Sequence, residues 1–243
     1  MSEDAWPKVG ASMGIVAAIL FIIGFVVGPS GSPPGFNDSA KEVQSYIQEN
    51  RGEIQAAMTM GFAVLVAVAW FLGSVYFRLR AAETEARLSV VALAGGIVVL
   101  AAATAGSAAE AAAAYHVNTL DANTVQGLWD LSLIAFLFVW AGFAVLAGAS
   151  AALAIRTKVL PDWLCFYDAA AAVYVFVIGV IGMFSETGAF SPSDGGLQLI
   201  GFIVWIVWLL ATGIVLFREP RAVAPGSRPS AAAPPPATPT TPA

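Results

Sequence analysis

Two carboxylic acids, Glu110 and Asp168, stand inside or at the edge of stretches that are otherwise almost wholly apolar. An ionisable group at membrane depth is expensive and marks by default a proton, ion or substrate site. These two are therefore the candidate binding residues. For Glu110, residues 90–109 already supply the roughly 20 residues needed to cross a bilayer. The acid then lies at the outer headgroup level, makes a purely structural bond, or is buried as a functional group. Thr104 and Ser107 precede it on a related face, although small hydroxyls in such helices usually bond their own backbone.

Asp168 follows from a length argument. Residues 169–184 number only sixteen, and extending the run to Cys165 makes twenty, which draws Asp168 one turn inside the edge. Arg156, at the end of the preceding run, carries five donors in a fixed fork. The expected structure is an Asp168–Arg156 pair locking the fourth and fifth helices, with Lys158 as the weaker partner; the alternative is a proton or substrate site.

Other chemistry is harder to assemble. Gly10-Ala-Ser12-Met-Gly14 has the Gly-x-Ser-x-Gly spacing of serine hydrolases, but it opens a helix instead of sitting at a strand-to-helix turn. The one histidine, His116, falls at the opposite face, about 30 Å away. His116 and the one cysteine, Cys165, also fall on opposite faces, so they form no metal or haem ligand set. No catalytic residue, metal ligand or cofactor site is assigned.

The elements that must position these residues follow from composition. Of 243 residues, 58% are hydrophobic and only 11% charged, with mean hydropathy +0.79. Soluble domains carry about 25% charged residues. The apolar residues come in long runs, which marks an integral membrane protein. There is no basic stripe for nucleic acid, and a single cysteine excludes an intrachain disulfide.

The fold read from these runs is an all-α polytopic transmembrane bundle of six spans, at about 9–27, 56–77, 88–115, 128–155, 164–184 and 197–217. Residues 1–8 form a polar head. A Gly/Pro-rich loop leads to a capping box, Ser39 with Glu42, and a short amphipathic helix over 39–50, lying on the membrane surface or solvated as a connector. Residues 218–243 are rich in Pro, Ala and Thr and read as a disordered tail. Gly10/Gly14 and Gly24/Gly28 offer small-xxx-small packing faces. All fourteen prolines fall outside the six runs, which argues against the interrupted helices of many transporters.

Of the 11 basic residues, nine fall on one side of this arrangement, and only Lys41 and Arg51 fall on the other. The positive-inside rule then places both termini in the cytoplasm, N-in and C-in. Trp129 and Trp163 sit where interfacial aromatic belts are expected.

The connection Arg156-Thr-Lys-Val-Leu-Pro-Asp-Trp-Leu164 after a Gly/Ala-rich helix resembles a recurring segment of six-helix membrane proteins from high-GC Gram-positive, actinobacterial-type bacteria. So does the order of first helix, Pro-rich loop, Ser39 to Arg51 segment and second helix. These are families of unknown function, and the likeness covers roughly Val9 to Phe217. It implies a multi-pass protein of the bacterial plasma membrane with no known activity.

The functional reading is a non-enzymatic structural, interaction or regulatory membrane component. Its partners would be the lipid bilayer and a membrane protein or a second copy of the chain. One alternative is a small transporter or permeability factor using Glu110 and Asp168; the last is an intramembrane enzyme.

Overall fold

The computed structural model describes residues 6–193 and 195–218. The expected 218–243 tail lies, beyond Arg218, outside the described residues, as does most of the 1–8 head. Among the described residues seven helices follow in chain order: α1 (Trp6–Val27), α2 (Ala40–Glu49), α3 (Arg51–Ala81), α4 (Leu88–His116), α5 (Ala122–Thr157), α6 (Asp162–Gly182) and α7 (Gly196–Arg218). No strand occurs among the described residues. All but α2 are long and apolar enough to cross a membrane. Large apolar side chains such as Phe62, Phe77, Phe166, Val173 and Phe184 point outward. On a protein in water such a surface would drive association; on a bundle in lipid it is the solvent-facing side.

Two spans are longer than the apolar runs foretold. The second starts at Arg51 instead of residue 56, and the fourth at Ala122 instead of 128. Both extra pieces are polar turns that continue the helix beyond the hydrocarbon. At 36 residues and 1.5 Å per residue, α5 is about 54 Å long against a core of about 30 Å. Pro7 also lies within α1, in its first turn, where a missing N–H costs nothing.

Local chemistry fixes the helix ends. The Ser39 capping box forms as expected: Glu42 N–H donates to Ser39 Oγ at 3.4 Å, and Ser39 N–H to Glu42 Oε2 at 2.8 Å. Asp121 caps α5 by accepting from Thr124 N–H at 3.1 Å. Glu83 receives the first N–H groups of α4, from Leu88 at 2.8 Å and Ser89 at 3.1 Å, and the Ser89 hydroxyl at 2.7 Å. Burial opposes the Glu83 charge, but these donors outweigh it and hold the carboxyl below its usual range. Lys158 ends α5 in the left-handed region at φ 57, and Pro161 follows three residues later.

The apolar face of α2 is turned onto the bundle. Its apolar residues Val43 and Ile47 are buried against Ile54 of α3, Ala113 and Ala114 of α4, and Val125 and Trp129 of α5. Gln44 donates to the carbonyl of Val117 at 2.9 Å, tying it to the α4–α5 turn. Trp129 is accordingly buried and not part of an interfacial belt. Its indole N–H donates to Pro34 O at 2.9 Å and anchors the Pro-rich loop. Trp163 is exposed.

The bundle is built on two close seams. All four glycines of the α1 pairs face α3: Gly10 meets Ser74, Gly14 meets Phe71, Gly24 meets Met60 and Gly28 meets Ala57. Along α4 and α5, Gly95 and Gly142 bring the two backbones together. α7 differs, since its backbone packs most closely on α1 and it meets α5 and α6 largely through side chains. Aromatic side chains fill the space between. Phe71, Phe143, Trp205 and Trp208 pack edge-to-face or stacked, with centroids 4.7 to 5.6 Å apart. Trp140 and Phe202 continue the layer at 5.0 Å.

Candidate functional site

Asp168 lies in the second turn of α6 and is 1% exposed. Its burial agrees with the length argument; its partner does not. The indole N–H of Trp208, on α7, donates to Asp168 Oδ1 at 3.0 Å. The expected Asp168–Arg156 pair is not formed. Arg156 is exposed at the end of α5, because the buried face of that last turn is made by Leu153 and Ala154, which turns Arg156 outward. Lys158, the other expected partner, pairs instead with Asp162 at 2.7 Å on the surface. The Asp162 carboxylate holds the Lys158 ammonium above its ordinary range.

Around Asp168 is a cavity of about 10 Å³ between α3, α5, α6 and α7. Its polar lining is Arg78, Ser150, Asp168 and Thr212, with the Trp208 ring beside them. α3, α5 and α6 each deliver one polar side chain here, and α7 delivers the Trp208 indole N–H and the Thr212 hydroxyl. Arg78 also donates to the carbonyl of Val159 at 3.3 Å, which ties the end of α3 to the α5–α6 connection. The Ser150 hydroxyl donates to Leu146 O at 2.8 Å, as mid-helix serines commonly do. Thr212 is 3% exposed, and its buried Oγ1 has no hydrogen-bond partner.

Glu110 is at the other end of the bundle. It is half-buried on α4, under α2 and near Tyr46. Burial lifts the Tyr46 phenol above its ordinary range, and the carboxylates of Glu110 and Glu53 add to the effect. α4 and α6 are not packed against each other, so Glu110 and Asp168 do not share a site. Thr104 bonds its own helix, donating to Leu100 O at 2.7 Å, so the polar track toward Glu110 does not continue inward through it.

The remaining candidates are dispersed. Ser12 donates to Val9 O at 2.8 Å within α1, and its flanking glycines are packing contacts. His116 is exposed, whereas Cys165 is buried with its thiol toward Leu160 O at 3.6 Å. No group of three metal-ligating side chains occurs among the described residues.

Sequence reasoning missed Trp208, Thr212 and Gln198. The first two stand four apart on α7, hence on one face, and that spacing was the available signal. Gln198 Oε1 accepts from Trp140 Nε1 at 2.7 Å, while its amide donates to Phe190 O at 3.0 Å. With Tyr167 donating to Val204 O at 2.7 Å and Tyr174 to Leu197 O at 2.8 Å, this pins α7 to its neighbours by side chains.

Six long apolar helices with large apolar side chains on the exterior define a multi-pass membrane protein. Compared with known protein families, curated proteins and solved structures, the chain matches none of them.

Proposed function

We propose that the chain is a non-enzymatic component of a bacterial plasma membrane, N-in and C-in, acting through helix contacts with a membrane-protein partner or a second copy of itself. The observation that supports this most is the filled interior. The layer of Phe71, Phe143, Trp205, Trp208, Trp140 and Phe202 occupies the middle of the bundle, where a solute path would run. The surfaces left for recognition are the outer faces of the helices and the rigidly docked α2, which exposes Lys41, Glu42, Ser45, Gln48 and Glu49.

In proteoliposomes, permeability to protons and small solutes is expected to equal that of protein-free vesicles. A saturable flux lost in Glu110→Gln or Asp168→Asn would overturn this reading in favour of a small transporter or permeability factor. Asp168, a carboxylate buried among four helices, is the observation on that side.

The orientation rests on charge. Lys8, Arg78, Arg80, Arg87, Arg156, Lys158 and Arg218 belong to one end of the bundle, while α2 and Arg51 belong to the other. With Cys165 replaced by Ser, a cysteine at Ser39 is expected to react with an impermeant thiol reagent on whole cells, and one at Ser230 to be protected. Labelling of Ser230 alone would reverse the assignment.

A further inference from the structure

We propose that the cavity between α3, α5, α6 and α7 is a proton-binding site, in which one water held by Thr212 and Ser150 delivers a proton to Asp168. Proton binding needs no net flux, so the inference stands whether or not the bundle transports anything.

The groups lining the cavity have hydrogen-bonding capacity beyond what the described protein groups use. An ionised carboxylate accepts at about four lone-pair positions. Among the described residues Asp168 receives one protein donor, Trp208 Nε1 on Oδ1. Thr212, one turn beyond Trp208 on α7, has a buried hydroxyl without a partner, in the same cavity wall. The Thr212 hydroxyl is buried without a partner, and one water in the cavity it shares with Asp168 satisfies it and gives the carboxylate a second donor. The Ser150 hydroxyl has given its proton to Leu146 O, so its lone pairs face the cavity as acceptors. Three polar partners are what a buried water takes, and about 10 Å³ is close to the least that admits one.

The ligand is a proton and not a metal ion because a single carboxylate with two hydroxyls falls short of the six or more oxygens that hard cations gather. A proton arriving as hydronium needs no such cage. The O–H bond broken at the hydronium is replaced by one formed at Asp168 Oδ2, and a neutral water stays between Thr212 and the new carboxylic acid. Release runs the same steps backwards.

The supply is the aqueous side at the end of the bundle that carries Arg78 and the α5–α6 connection. Among the described residues, the charged and titratable groups facing Asp168 are Arg78 from α3 and Cys165 and Tyr167 on α6 itself. The cavity lining from α5 and α7 among the described residues includes no charged side chain; its polar groups are Ser150, Trp208 and Thr212. Lys158 and Asp162 neutralise each other at the surface.

Infrared difference spectroscopy of the full chain in lipid vesicles, titrated with pH, reads the carboxylic C=O stretch directly. One titrating band is expected to vanish in Asp168→Asn, which keeps an acceptor for Trp208, and to change frequency in Asp168→Glu. Thr212→Val should move its midpoint by about one pH unit, and Thr212→Ser should restore it. Wild-type and Asp168→Asn spectra with the same titrating bands would overturn the site. A midpoint unmoved by Thr212→Val would overturn the water.

Discussion

Gly142→Ala is expected to destabilise the bundle by more than about 3 kcal/mol, whereas Gly127→Ala, on the same helix, is expected to stabilise it by about 0.5–1 kcal/mol. The chemical change is identical; the surroundings decide the sign. A Cβ built on Gly142 would lie 2.7 Å from Val99 N and 2.8 Å from Gly95 O. Both are backbone atoms of α4, which cannot rotate away as a flexible side chain can. Gly95 is placed the same way, with its Cβ position 2.6 Å from Leu146 N and 2.7 Å from Gly142 O. An added methyl must therefore push the two helices apart along the longest seam of the bundle. That loss spreads over every contact the seam makes, because tightly packed interiors deform little. Small residues matter more here than in water, since lipid supplies no hydrophobic drive to hold two spans together. Gly127 has nothing within 4 Å of its Cβ position, so Ala there only improves helix propensity. Unfolding in detergent reads both variants. Shifts of the same sign, or a small shift for Gly142→Ala, would show that the seam is looser than this geometry.

Much of the fold was legible in the sequence because crossing a bilayer is nearly a one-dimensional problem. A run of about 20 apolar residues must be helical, since nothing else satisfies its backbone in lipid. That logic finds spans but not helix ends. Arg51 and the 122–127 turns are polar, so the apolar runs began later than the helices did. What makes those turns helical is tertiary, namely the packing of α2 on Ile54, Val125 and Trp129. The same packing was illegible for α2 itself, whose amphipathic pattern fits a lipid surface and a protein surface equally well. Capping was legible because it is local, as Ser39 and Glu42 show.

The candidate site divides along the same line. That Asp168 is buried follows from counting residues along one helix. Which group it meets depends on how α5 and α7 are rotated, and counting says nothing about rotation. Arg156 was near enough in sequence but points outward; Trp208 is forty residues away and points in. The α1 glycines were legible as a packing face because small residues four apart share one side of a helix, but that the neighbour is α3 was not.

Coupling between Asp168 and Trp208 is the second large effect. Trp208→Phe removes the one protein donor to a carboxylate that is 1% exposed. Leaving a buried acceptor unsatisfied costs about 1–3 kcal/mol, and more when it is charged. Trp208→Phe also thins the aromatic layer, where the indole touches Phe71, Phe143 and Trp205. A single substitution therefore mixes lost packing with a lost hydrogen bond. A double-mutant cycle with Asp168→Leu separates them, since the packing loss appears on both arms and cancels. The expected interaction is about 1–3 kcal/mol, with Trp208→Phe clearly less harmful once the carboxylate is gone. The companion cycle, Arg156→Gln with Asp168→Leu, should be additive within about 0.5 kcal/mol, because Arg156 is exposed and makes no ion pair with Asp168. Arg156→Gln by itself should change stability by no more than about 0.5 kcal/mol, as surface substitutions usually do. Additivity in the Trp208 cycle together with coupling in the Arg156 cycle would mean that α6 is locked to α5 by charge and not to α7 by the indole.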